Sequence, residues 1–443
     1  QELHLIWIES SKNSFNMKSA VLALLALISS SAAVTYDFEK QGGVRDKDDL
    51  DTSWANGRLL NETLASLVPG DTLVFPNATF TLMGGIKCDG LQDVTISFDG
   101  TIVFKDDIDA WPKNENGDVF PSLYFSNPKN VKFTSAGKGT LDGKGKKWWG
   151  LPGIGYLRRG ENRPRLFEVD HGTNILVENI FFKDSAYWTF WVHNVQTLEV
   201  RYCDIEARRT DWDKHDLIDI TAFNTDGYDV TGRDVWIHDC TVWNQDDTIA
   251  VKDDSQDMLF ERITASGVGL TIGSIGSSLV KNITFRDCYM HHTYKGIYTK
   301  FRGDGGTIED VTFENIVIDK PSQWPIWIGP AQQSDSSRLC AAHPCSICWP
   351  EVPFAECNAP ESQYKNILLK NITIIDPKKS PGVIMGGATL GMENIVFEDV
   401  VVQNPGSKPW GDDYYKCEGV TSGVAKGKTW PVPPCFDDQT DKN

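Results

Sequence analysis

The chain has 443 residues, with 61 acidic against 43 basic side chains and a formal charge of −18. Its pI is near 4.9. Apolar residues at 40% can build a large core, which excludes wholesale disorder. The acidic balance argues against nucleic acid or an anionic membrane as the main partner, because both recruit basic patches.

In chain order, residues 1–16 precede Met17-Lys18 and read as upstream translation or a fragment artefact. Residues 17–33 follow the charged, apolar, small-residue order of a secretory signal peptide, with Ala20 to Ile28 too short to span a bilayer. The mature chain is expected to start near Val34 and to form one domain over 34–443. Secretion also suits ten cysteines and the sequons at Asn61, Asn77, Asn282 and Asn371, which are glycosylation candidates. Residues 34–80 read as an N-terminal cap, with a helix expected near 57–68. The Trp148-Trp149 pair is either a substrate platform or packing in a turn.

With 38 Gly, 15 Trp and 21 Phe and no long helical periodicity, the remainder reads as all-β. A seven-residue pattern starts at Asn174 (NILVENI), Asp234 (DVWIHDC), Asp257 (DMLFERI), Asn282 (NITFRDC) and Asp310 (DVTFENI), then Asn366 (NILLKNI) and Asn394 (NIVFEDV). From 234 the starts are 23, 25 and 28 residues apart. A unit of that size cannot bury its own apolar face, but stacked units can, which gives a parallel β-solenoid. Cys203, Cys240 and Cys288 then fill equivalent inward positions as small core hydrophobes. Tyr187, Trp188, Phe190 and Trp191 precede the acidic blocks, and their alternating members either reach the cleft or pack the core. Residues 331–361 interrupt the repeat as an insertion. There Cys340, Cys345, Cys348 and Cys357 read as local staples in preference to a zinc site, and Cys417 and Cys435 as a clasp on the tail.

The repeat register also carries chemistry. Asn224-Thr225-Asp226-Gly227 and Asn244-Gln245-Asp246-Asp247 place Asp226 and Asp246 20 residues apart, close to one coil. Parallel strands lie about 4.8 Å apart, so the two acids should be neighbours. Gly267-Val268-Gly269 and the segment Lys295 to Lys300 follow after one coil each. Asp226, Asp246, Asp247, Val268, Tyr298 and Lys300 are therefore expected on one face. Crowded carboxylates raise at least one pKa and leave a protonated acid beside an ionised base, the pair that glycoside hydrolysis needs. An acid–base gap of about 6.5–9.5 Å would admit a water and predict inversion. Turn stabilisation or a Ca²⁺ site are the competing readings of the same acids. Asp253-Asp254 reads as a solvated turn, and His215, His238, His291 and His292 lack metal-ligand spacing.

The four blocks NTDG (224–227), NQDD (244–247), GVGLTIGS (267–274) and the final Lys300 resemble glycoside hydrolase family 28, the polygalacturonases and related pectin hydrolases. The resemblance runs from about Asp37 to Val402. It implies a right-handed parallel β-helix and inverting hydrolysis of a pectic polysaccharide. Asp246 would be the general acid and Asp226 and Asp247 the base. Asn224 and Gln245 would orient these carboxylates, and Lys300 would bind a substrate carboxylate. Three positions depart from the family pattern. Val268 replaces a histidine, Tyr298 replaces an arginine, and Trp324 stands for a tyrosine. Tyr298 and Trp324 would offer stacking faces in place of a bidentate grip, which suits rhamnogalacturonan or a decorated galacturonan. No cofactor or metal is called for, and a secreted monomer with an acidic pH optimum is expected. The alternatives are a β-helix polysaccharide lyase and a catalytically inactive carbohydrate-binding solenoid.

Overall fold

The structure, a computed structural model, describes residues 32–149, 162–215, 218–334 and 340–441. The expected leader therefore lies outside the described residues, apart from its last two positions. From Thr35 to Thr440 the chain winds into a right-handed parallel β-helix, as the solenoid reading expected. Every rung pairs in parallel with the rungs before and after it. Thr307–Asp319, for example, lies between Leu279–His291 and Gln363–Ile375.

The repeat start is a corner of the coil. Asn130, Asn174, Thr197, Asp234, Asp257, Asn282, Asp310, Asn366 and Asn394 stand one above the other and all adopt left-handed φ, between 53° and 61°. Asn and Asp tolerate that conformation better than other non-glycine residues. Their side chains also bond along the stack. Asn282 Nδ2 donates to Asp257 Oδ1 at 2.7 Å, and Asn366 Nδ2 donates to Asp310 Oδ1 at 2.8 Å. Both sequons in this part of the coil, Asn282 and Asn371, are exposed members of such ladders, Asn371 through Asn315 at 2.8 Å. Asn61 and Asn77 lie nearer the N-terminal end, on the helix and in a turn.

Inside the corner the core is a set of columns. Val177, Val200, Ile237, Phe260, Phe285, Phe313, Leu369 and Phe397 are in register, and the Phe285 and Phe313 rings stack at 4.9 Å. Cys203, Cys240 and Cys288 occupy a neighbouring column with Ile263, Ile316, Ile372 and Val400, buried and unoxidised, as expected of core hydrophobes. Trp148 and Trp149 are also fully buried, which settles them as packing.

The cap helix runs Leu50–Ser66 and starts seven residues before the expected one, because Asp49 accepts a hydrogen bond from the Thr52 N–H and fixes the N-terminus. It packs on strands Thr79–Leu82 and Ile86–Asp89. Gly57 allows this approach, since a Cβ there would lie 2.9 Å from the Met83 carbonyl oxygen. The described part of the 331–361 insertion carries a two-stranded sheet, Gln332–Gln333 with Cys345–Ser346. Disulfides Cys340–Cys348 and Cys345–Cys357 staple it, so neither Cys345 nor Cys348 is left as a zinc thiolate. Cys417–Cys435 closes the tail.

Thr197 breaks the corner rule, because a β-branched residue is strained at its φ of 61°. Its side chain is exposed, between Asn174 and Asp234. Thr197→Asn should raise stability by about 1 kcal/mol, read as a higher denaturant midpoint at unchanged slope. A midpoint that stays put or falls would show that the corner is not under strain there.

Candidate active site

The acids come from the turns that enter successive rungs on one wall. Asp226 precedes strand Tyr228–Trp243, and Asp246 and Asp247 precede strand Ile249–Val251 one coil later. The turn is tight. A Cβ on Gly267, one coil further on, would sit 2.1 Å from Asn244 Oδ1, so only glycine fits under the acidic turn. Asn244 Nδ2 donates to the Thr225 and Asp247 carbonyls at 2.9 Å each and ties the two acidic turns together.

Each of the three carboxylates offers an oxygen within 4.8 Å of the other two. That is closer than the gap of about 6.5–9.5 Å expected for an acid and base flanking a water. The spacing therefore gives no argument for inversion. Asp226 and Asp247 are buried, whereas Asp246 is partly open. Burial, then Asp246, push the Asp226 carboxyl well above the usual range. Burial, then Asp247, push Asp246 up to about 6. The pair retains a proton at mildly acidic pH.

Lysines balance the charge. Lys300 Nζ lies 2.9 Å from Asp247 Oδ2, and Thr271 Oγ1 donates to Asp247 Oδ1 at 2.8 Å. Lys252 Nζ lies 2.9 Å from the fully buried Asp229 and 3.9 Å from Asp226. Burial works against the Lys252 charge, but Asp229 and Asp226 outweigh it and hold the amine above its ordinary range. Three acids this close would suit a divalent cation by donor type, yet Lys300 and Lys252 already supply positive charge at Asp247 and Asp226.

Of the two expected orienting residues, Asn224 does touch a carboxylate. Its backbone N–H and its Nδ2 donate to Asp246 Oδ2 at 3.2 and 3.3 Å, and Arg163 Nη2 donates to its Oδ1 at 3.1 Å. Gln245 is a correction. Its side chain leaves the acids and faces His215 Nδ1 at 2.8 Å and the Tyr294 hydroxyl at 3.4 Å, since residues adjacent along a turn point to different sides. His215, given no role in sequence, is thus a packing partner of the acidic turn. Its ring stacks on Trp243, and burial lowers it to about 4.

Tyr298 and Trp324 are a second correction. Each is only 3% exposed, in an apolar cluster with Trp327, Val383 and Met385, and Val268, Trp349 and Cys357 pack against it. The Tyr298 hydroxyl accepts a hydrogen bond from the Gln332 N–H at 3.0 Å, so the insertion lies over the ring. Neither ring presents the open stacking face expected of it. Lys295 lies beside them, with its amine 4.5 Å from the Tyr298 ring and bonded to Gln323 Oε1 at 2.9 Å. Burial, then Lys300, lower it to about 7. On the N-terminal side Trp188 and Trp191 are partly exposed, while Tyr187 and Phe190 are buried. Lys252 and Arg163 carried no sequence signal, because each is an isolated cation outside the recognisable blocks.

The Lys252 network makes a measurable prediction. Removing one partner of a buried pair leaves a buried charge and costs about 3–5 kcal/mol. Lys252→Met should lose that much stability at pH 7. Asp229 and Asp226 already titrate above their unfolded values, and in the variant more so, so the neutral acids favour folding at low pH and that support fades as pH rises. The deficit in chemical denaturation should therefore shrink near pH 4. A loss that is equal at both pH values would show that Lys252 is not neutralising these acids.

Known proteins resemble this chain in sequence and in fold. The probable endopolygalacturonase C of Aspergillus aculeatus is 30% identical over 205 residues, 45% of this chain and 51% of that protein. Endopolygalacturonase A of Aspergillus niger is 30% identical over 237 residues, 52% of this chain and 60% of that protein. The chain thus spans about half the length of the curated relatives it matches. The endo-xylogalacturonan hydrolase from Aspergillus tubingensis superimposes with a TM-score of 0.67 at 21% identity, over 92% of this chain and 99% of that one, and shares the fold. The model of "Glycosyl hydrolases family 28" matches residues 71–426, and the chain belongs to that family.

Proposed function

We propose that the protein is a secreted hydrolase of pectic polysaccharide that inverts the anomeric carbon and acts on a decorated galacturonan. The observation that carries the reading is the cluster of Asp226, Asp246 and Asp247, crowded enough to hold a proton and reached from solvent through Asp246. Asp246 is the general acid. It alone of the three is partly open, and at about 6 it is protonated in mild acid. Asp247 and Asp226 hold the attacking water. Asn224 keeps Asp246 turned towards the leaving oxygen. Lys300, bonded to Asp247 at 2.9 Å, faces a substrate carboxylate from the same wall.

Loss of the family arginine at Tyr298 and the covering of that ring by the insertion favour a substrate whose leaving unit is less acidic or carries a side group. The name of the xylogalacturonan hydrolase is in keeping with that class. Disulfides in the insertion and tail support secretion. No helix among the described residues is long and apolar enough to cross a membrane.

Incubation with homogalacturonan, rhamnogalacturonan and xylogalacturonan should release new reducing ends, fastest from a decorated polymer. NMR of the first product should show the inverted anomer. Faster cleavage of plain homogalacturonan would reject the substrate preference. An ultraviolet-absorbing unsaturated product would mean a lyase, and binding without any release a carbohydrate-binding solenoid.

Asp246→Asn should lower kcat by about 10²–10⁴, the usual contribution of general acid–base catalysis. Asp246 must be protonated to act, so kcat should fall as pH rises through about 6. A rate maximum above neutrality would exclude Asp246 as the acid.

A further inference from the structure

A cavity of about 280 Å³ opens beside the acidic cluster on its N-terminal side, lined by Asp118, Val119, Asn162, Arg163, Arg165 and Tyr187. We propose that this cavity is a distal subsite for an acidic sugar unit of the substrate chain, with Arg165 as the group that reads its carboxylate. This rests on the pectic reading above and extends it to a position away from the scissile bond.

Arg165 is a cation with unused donors. Its side chain is 29% exposed, and its buried Nε has no hydrogen-bond partner among the described residues. Its nearest carboxylate among the described residues is Glu168, with Oε2 3.4 Å from Nη1, longer than a good charge-assisted bond. Glu168 does not compete strongly for it. Burial pushes that carboxyl up to about 7, against the pull of Arg165 itself. The other acid at the cavity, Asp118, is exposed and accepts from Asn114 Nδ2 at 2.9 Å.

The guanidinium is also held in place. Its Cζ lies 4.1 Å from the Trp191 ring centre and 4.8 Å from that of Trp188, and both rings are partly exposed. A planar cation fixed against aromatic faces suits two parallel bonds to a carboxylate, and the rings beside it suit the apolar face of a sugar.

Two contacts connect the cavity to the acids. Arg163, on its wall, donates to Asn224, which bonds Asp246. The amine of Lys252 lies 5.7 Å from the Trp188 ring and 3.9 Å from Asp226. A polymer laid across Asp246 would thus pass Trp188 and meet Arg165 at a later unit.

The test compares oligogalacturonates of increasing length, and their methyl-esterified forms, on the full chain. Binding is read by calorimetry on the Asp246→Asn protein and cleavage on the otherwise intact enzyme. In the parent, affinity and kcat/KM should rise with length for the acid oligomers and much less for the esters. Arg165→Gln should cut the gain from length by about tenfold or more, the worth of a charged hydrogen bond, and Trp188→Ala should cut it too. Arg165→Gln/Glu168→Gln leaves neither partner charged and serves if Arg165→Gln alone unfolds. A parent that gains with length while all these variants gain equally would overturn the subsite and leave the pectic reading standing. Equal gains for acids and esters would overturn the carboxylate recognition. A parent that neither binds nor cleaves any pectic oligomer would bring down both readings.

Discussion

The parallel register is the constraint on which the rest depends. Strands one coil apart sit about 4.8 Å from each other, so any residue repeated once per coil meets its own copies in space. Asn282 on Asp257 and Asn366 on Asp310 are this rule applied to a corner. Phe285 on Phe313 is the same rule applied to the core. Asp226 beside Asp246 is the rule applied to like charges, and there it costs energy instead of providing it. A fold that stacks identical residues can hold a cluster of acids only if something else absorbs their repulsion.

Two lysines and a retained proton do so here. Lys300 is committed to Asp247, and Lys252 to Asp229 and Asp226, so the remaining repulsion is met by raising Asp226 and Asp246 until they share hydrogen. The same arrangement sets a carboxylate bonded to a lysine beside one that is partly open to solvent and raised enough to keep a proton in mild acid. The overall charge of −18 would repel an acidic polymer at long range, but salt screens that field within about 10 Å, and the local cations Lys252, Lys300 and Arg165 lie along one wall.

Much of this was legible in the sequence because period is legible. The seven-residue pattern carried the stacking of the coils, the inward cysteines and the closeness of Asp226 and Asp246. What period does not carry is the direction of a side chain within a turn or the cover that a non-repeating loop lays over it. Gln245 adjoins Asp246 in sequence and still turns to His215. Tyr298 sits at the expected rung and is roofed by Gln332 from the insertion. The helix start was missed for a similar reason, since a single capping residue, Asp49, moved it by two turns. Arg165 lies outside all the recognisable blocks, and its setting is made by Trp188 and Trp191 some twenty-five residues later in the chain.

The insertion and the N-terminal cavity divide the cleft unequally. On one side of the acids the wall is closed by apolar packing: Tyr298, Trp324 and Trp327 under Trp349 and the Cys345–Cys357 bridge. On the other it stays open and cationic, with Arg165 over two half-exposed tryptophans. Burying an ionised carboxylate among aromatic rings is costly, whereas placing it on a guanidinium is favourable. A polymer that places a neutral or decorated unit towards the insertion and an acidic one towards Arg165 satisfies both sides. On the proposed reading, specificity follows from where a non-repeating loop was added to a repeating scaffold, while the clustering of the three acids follows from the scaffold alone.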